Sequence, residues 1–157
     1  SYEGPTIFRK NGMKIKRTPV ELTNKRGFKL FGSHYEPYNR PCKMLPCVYI
    51  YMETVVVSLK RNFIFINQLC LTSILCHDVS LLAFDFAGCG NSEGEYISLG
   101  YHEREDVDVV FKYLRSLDTV SSIGIWGRSM GAVTALMYSD KNHEIACIVL
   151  DSPFSNL

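Results

Sequence analysis

Gly127-Arg128-Ser129-Met130-Gly131 lies between an apolar run, Ile123-Gly124-Ile125-Trp126, and a stretch of small and apolar residues from Ala132 to Met137. The pattern reads as strand, sharp turn, helix, with a serine at the apex. A G-x-S-x-G turn in this setting holds the serine side chain on a strained bend at the carboxyl end of a sheet, where a substrate carbonyl can reach its oxygen. Glycine two residues to either side removes the Cβ that would otherwise clash where strand and helix come together. The chemistry open to such a serine is nucleophilic acyl transfer. The plainer alternative is a serine that only caps a helix.

The elements that must position this turn follow from hydrophobic spacing. Val20 to Thr23 and Phe28 to Phe31 flank Asn24-Lys25-Arg26-Gly27, which predicts a hairpin whose last loop residue needs glycine and whose second arm runs on to Tyr35. Pro37, Pro41 and Pro46 then mark a loop. Cys47 to Tyr51 is an unbroken apolar run, as in a strand buried on both faces; Val79 to Phe84 repeats it and ends in Asp85, before a glycine-rich loop from Ala87 to Gly94. A helix follows, with Ser98 as its expected cap and Glu103, Glu105 and Asp106 near its positive end. Val107, Val110, Phe111 and Leu114 recur at i, i+3, i+4 and i+7, so one stripe faces a sheet. After Leu117 come the strand before the serine, the helix after it and a last apolar run, Ala146 to Leu150. Strands alternating with helices specify the α/β class: a mostly parallel sheet flanked by helices, here with an N-terminal antiparallel hairpin.

Bulk composition narrows the function. At 157 residues and 46% hydrophobic, the chain is one domain or part of one, with enough apolar surface for a core, and its net charge of +1 argues against nucleic acid or an acidic membrane as partner. Basic residues crowd the first thirty positions, among them Lys14, Lys16, Arg17 and Lys25, which reads as the solvated face of an N-terminal strand layer. Six cysteines show no C-x-x-C pair and no signal peptide precedes them, so mostly buried, reduced thiols and a cytoplasmic location are expected. The longest apolar stretch, Phe63 to Cys76, is broken by Asn67-Gln68, and no membrane span is expected. Gly88, Gly90 and Gly94 follow a G-x-G-x-x-x-G spacing with Glu93 where a dinucleotide fingerprint needs its third glycine, so no cofactor is expected, and no metal site either.

Four stretches together resemble the α/β-hydrolase superfamily, and within it the serine aminopeptidase-like group: Leu45 to Val48 before a strand, Ala83 to Gly94, Trp126 to Ala132, and Leu150 to Phe154. The likeness runs from about Val20 to the end, except after Tyr51, and corresponds to the N-terminal half of such an enzyme. It implies that Ser129 is the nucleophile, that the Met130 N–H is one of two oxyanion donors, and that the substrate is a small-molecule or peptide-like ester, thioester or amide. It also implies the chain order Ser, acid, His for the catalytic groups. Only His143 follows Ser129, near the end of the next helix, where a surface role is expected; His34, His77 and His102 precede the serine. Asp151 ends the strand after the turn, a place from which some relatives supply the acid, and the plainer reading is that it closes that strand and caps the next helix. Asp85 is expected to brace the loop behind it.

Two features depart from the resemblance. The apolar run ending at Leu150 wants a neighbour on each side, and only seven residues follow it, so the chain is expected to be an incomplete domain whose acid and base lie beyond Leu157; its start, Ser1 rather than Met, is expected to be missing as well. After Tyr51 the group normally carries His-Gly and a small polar loop that supplies the second oxyanion donor. Here Met52-Glu53-Thr54-Val55-Val56-Val57 follows. Read one base late, CAT GGA AAC TGT GGT AGT, which encodes His-Gly-Asn-Cys-Gly-Ser, gives those same residues. Residues 53–73 are therefore either a frame-shifted segment or a genuine insertion, with Val55 to Val57 as strand and Phe63 to Leu75 as buried helix or strand. Loss of one oxyanion donor costs about 2.7–4 kcal/mol of transition-state stabilisation, and loss of the base costs about a million-fold in rate, so this chain alone is expected to be inactive. The alternatives are a non-catalytic hydrolase-like binding protein, or the product of a pseudogene or faulty gene model.

Overall fold

In the computed structural model, residues 5–38, 45–51 and 74–155 are described. The anomalous interval 53–73 lies outside them, apart from a helical turn at Ile74-Leu75 that follows it. Strands β1 (Ile7–Lys10), β2 (Met13–Thr23) and β3 (Lys29–Pro37) run antiparallel to their neighbours. Strands β4 (Leu45–Tyr51), β5 (Ser80–Phe84), β6 (Val120–Arg128) and β7 (Cys147–Asp151) form the parallel part, with α1 (Glu103–Arg115) joining β5 to β6 and α2 (Met130–Ser139) joining β6 to β7. The sheet order is β1-β2-β3-β5-β4-β6-β7, so β4 lies between two strands that come later in the chain. The predicted class, a mostly parallel sheet with helices and an antiparallel N-terminal part, is the one observed.

Turn chemistry fixes the antiparallel end. Between β2 and β3, the Asn24 Oδ1 accepts the backbone N–H groups of Arg26 (3.0 Å) and Phe28 (2.9 Å), and Gly27 takes the φ of 85° that closes the loop. The strand β1 was not anticipated. It is joined to β2 by Asn11-Gly12, both at positive φ (47° and 79°), the pair that a tight hairpin with primed geometry requires.

The α1 stripe performs as its spacing predicts: Val107, Val110, Phe111 and Leu114 are buried and pack with Leu82, Ile123 and Ile125 of the sheet. Each such side chain contributes about 1.5–3 kcal/mol of gross stabilisation. Residues alternate along β5, so Leu81 points the other way and joins Ile15, Tyr35 and Leu75 in a second cluster.

Three expectations are corrected. Ser98 is not the helix cap: His102 occupies that position, and Ser98 instead accepts the His102 N–H through its hydroxyl at 2.7 Å. Arg17 is not on a solvated face; it is 5% exposed, on the same side of β2 as Ile15, and donates to Ser33 Oγ at 3.1 Å. Of the described cysteines, Cys47 and Cys89 are buried but Cys76 and Cys147 are exposed, all as free thiols. Among the described residues no helix is long and apolar enough to cross a membrane.

Candidate active site

Ser129 occupies the single residue between β6 and α2. Its backbone sits at φ 50°, ψ −115°, a combination that L residues adopt only under constraint. The constraint is visible. Its N–H donates to the Asp151 carbonyl at the end of β7 (2.9 Å), and its own carbonyl accepts from Ala132 (3.1 Å) and Val133 (3.2 Å) in the first turn of α2. A Cβ on Gly127 would fall against the Gly131 carbonyl and within 2.6 Å of the Ala132 nitrogen, so strand and helix meet only because this residue is glycine. The Ser129 hydroxyl makes no capping hydrogen bond, which removes the plainer alternative of a helix-capping serine. The side chain is half-buried rather than enclosed. Met130 begins α2, so its N–H is one of the helix's orphan donors at the positive end of the helix, beside the serine.

Asp151 faces Arg128 across the β6–β7 register. Its Oδ2 lies 3.6 Å from Arg128 Nε, and its Oδ1 accepts the Ser152 hydroxyl at 2.8 Å. The residue thus closes β7, as read from the sequence, and anchors the turn through its carbonyl. No helix follows it among the described residues.

The four histidines do not assemble around the serine. His34 is buried, 3.1 Å from Ser80 Oγ and 3.9 Å from Cys47 Sγ, and burial pulls its pKa down. His77, His102 and His143 are exposed, and among the described residues none of the histidines hydrogen-bonds to Ser129.

The loop after β5 is braced at several points. Asp85, as expected, holds it from behind: its Oδ2 accepts the Asn91 N–H at 3.0 Å, while its carbonyl accepts the Ser92 hydroxyl at 2.6 Å. Asp106 is fully buried and accepts from the Ala87 N–H (2.9 Å), Asn24 Nδ2 (2.7 Å) and Arg26 (3.2 Å), tying α1, the β2–β3 turn and the loop together. Burial pushes its carboxyl up, against the lowering effect of those donors. Glu103, also fully buried, accepts the Ser98 N–H (2.7 Å), the Ser98 hydroxyl (2.6 Å) and the Gly100 N–H (2.8 Å). Burial opposes its charge, and these hydrogen bonds outweigh it, holding the carboxyl below its ordinary range. Both acids had been read only as partners of the helix dipole. Their spacing on α1 gave no sign of donors 3 to 82 residues away. Among the described residues, no group of three or more His, Cys, Asp or Glu side chains is placed to hold a metal.

The chain superposes on an esterase of Pyrococcus furiosus, Pf2001, with a TM-score of 0.74 and 26% identity, covering 88% of this chain and 52% of that one. It has the α/β-hydrolase fold. Est1E of Butyrivibrio proteoclasticus, solved with ferulic acid bound, matches this fold with a TM-score of 0.69 at 23% identity, over 82% of this chain and 50% of that one. In sequence, an uncharacterised protein of Bacillus subtilis, YqkD, is 29% identical over 127 residues, which is 80% of this chain and 38% of that protein. No protein-family model matches. The chain therefore spans about half the length of the α/β-hydrolase structures it resembles and less of the curated relative.

Proposed function

We propose that Ser129 is the nucleophile of a serine hydrolase of the aminopeptidase-like group, transferring an acyl group from an ester, thioester or amide to its hydroxyl and then to water. The reading rests on one observation above the others: a serine held at φ 50°, ψ −115° between strand and helix, its hydroxyl unused by the helix it precedes. Attack of Ser129 Oγ on the carbonyl carbon forms the tetrahedral oxyanion, which the Met130 N–H stabilises at the positive end of α2. Collapse expels the alcohol, thiol or amine, and water then releases the acid. The second oxyanion donor falls to the segment after Tyr51, and the acid and base to residues following Leu157. Asp151 is a structural anchor in this scheme, and His143 has no part in it. The likeness to the Pyrococcus esterase supports the reaction class.

A fluorophosphonate probe tests this reading. A protein extended past Leu157 and carrying His-Gly after Tyr51 should be labelled, and its Ser129→Ala variant should not. The 157-residue chain should label weakly or not at all. Labelling that survives the substitution, or an extended protein that stays unlabelled, refutes the assignment. Transcript sequencing across residues 53–73 decides separately whether the frame is shifted.

A further inference from the structure

Asn11 and Gly12 form the two-residue loop between β1 and β2, and both are exposed. Of the chain's asparagines, Asn11 alone is followed by glycine. Asn24 and Asn142, also in loops, have their carboxamides in use: Asn24 holds Arg26, Phe28 and Asp106, and Asn142 donates to the Tyr138 hydroxyl at 2.6 Å and accepts the Glu144 N–H at 2.9 Å. Among the described residues, neither the Asn11 carboxamide nor the Gly12 N–H has a hydrogen-bond partner. Nothing lies within 4 Å of where a Cβ on Gly12 would stand, which leaves room for a ring to close there. Lys10 adjoins the loop, and Arg9 and Lys14 form the next pair along the hairpin; their charge lowers the cost of an anionic backbone nitrogen.

We propose that Asn11 is a site of spontaneous covalent modification, converted through a cyclic imide to isoaspartate, and that the conversion releases β1 from the sheet. The Gly12 nitrogen gives its proton to base and attacks Asn11 Cγ. The new N–C bond closes a five-membered imide as the Cγ–Nδ2 bond breaks, and Nδ2 leaves with a proton as ammonia. Water then opens the ring at Cγ, giving aspartate, or at the Asn11 backbone carbonyl, giving isoaspartate. The sum is asparagine plus water to either acid plus ammonia, with no change of oxidation state. Attack requires Asn11 to turn about its own backbone, and β1 resists this little, being four residues at the sheet edge with none buried.

In isoaspartate the main chain runs through the former side-chain carbons, adding one methylene to a loop whose two-residue length sets the β1–β2 register. The pairs from Ile7–Lys16 to Lys10–Met13 lose that register. Phe8 leaves its edge-on contact with Tyr35, where the ring centroids are 6.5 Å apart, and the Thr6 carbonyl gives up the Arg17 N–H it accepts at 2.7 Å. Ordinary aspartate brings the same charge but leaves the path of the backbone unchanged, and it suits this turn as asparagine does. The proposal is independent of any activity at Ser129.

Incubation of the 157-residue chain in mildly alkaline buffer, followed by peptide mapping with electron-transfer fragmentation, tests the chemistry. At least two hydrogen bonds hold each of the Asn24 and Asn142 carboxamides, so Asn11 should lose its amide at least about tenfold faster than either, with isoaspartate among the products. Amide hydrogen exchange tests the consequence. In the isoaspartyl form the Arg17 amide should lose at least about tenfold in protection, and in Asn11→Asp, which carries the charge without the rerouted backbone, it should keep it. Amide loss at Asn11 no faster than at Asn24 and Asn142, an isoaspartyl form whose Arg17 amide stays protected, or an Asn11→Asp variant that loses the protection as well would overturn the proposal.

Discussion

Replacing Ser129 by glycine should stabilise the protein relative to replacing it by alanine. At φ 50°, ψ −115° a residue with a Cβ carries about 1–3 kcal/mol of backbone strain, which glycine does not. Against this, glycine loses about 0.5–1 kcal/mol more conformational entropy on folding than alanine. Both substitutions delete the hydroxyl, and since it caps nothing, Ser129→Ala should stay within about 0.5 kcal/mol of the parent. The difference between the two variants therefore isolates the backbone. It should come to about 1 kcal/mol in favour of glycine, or about 2–4 °C in melting temperature for a chain of this size. Urea melts followed by far-ultraviolet circular dichroism measure it directly. If Ser129→Gly proves no more stable than Ser129→Ala, the turn is not strained and the argument for a poised serine loses its support.

Gly127→Ala should cost more than about 3 kcal/mol, because the new methyl meets backbone of Gly131 and Ala132 that cannot swing aside; a urea melt beside that of a surface Ala variant reads the loss. Glu103 makes a pH prediction. Its folded pKa is depressed below the ordinary glutamate value, so the stability it adds is complete above that ordinary value and disappears as pH falls through the folded one. Glu103→Gln should be less stable than the parent at pH 6, and the two urea midpoints should converge as acidification carries Glu103 through its depressed folded pKa; a constant gap would refute the assignment. On the sheet edge, Val149 and Leu150 are 45% and 38% exposed, so Val149→Lys should reduce light scattering on heating without lowering the melting temperature.

The parts of the fold that were legible are those where burial imposes a period. Four apolar residues at helical spacing located α1, and unbroken apolar runs located β5, β6 and β7 to within a few residues. The serine turn was legible for a different reason: close approach of strand and helix excludes a Cβ, and that exclusion is written as glycine at position 127. Strand β1 escaped because it is short and at an edge, with only half-buried and exposed positions, and its one signal was Asn11-Gly12. Arg17 departs from the solvated surface that its basic neighbours suggest because β2 alternates between two faces and its partner Ser33 is on the next strand. Asp106 and Glu103 carry long-range or loop-dependent contacts that no local spacing encodes. At the candidate site, the place of Ser129 on the turn between strand and helix was readable, whereas groups that act on one another through space leave no local signature.

The order of strands also bears on how the polypeptide is made. The pair β2 and β3 can close as soon as it leaves the ribosome, since nothing but a short loop separates its arms. By contrast, β4 gains its outer neighbour β6 only after roughly 80 further residues have been synthesised, about 4–16 s at typical translation rates. Through that interval an apolar segment with an open hydrogen-bonding edge waits for its partner, the condition in which a polypeptide is most exposed to edge-to-edge association.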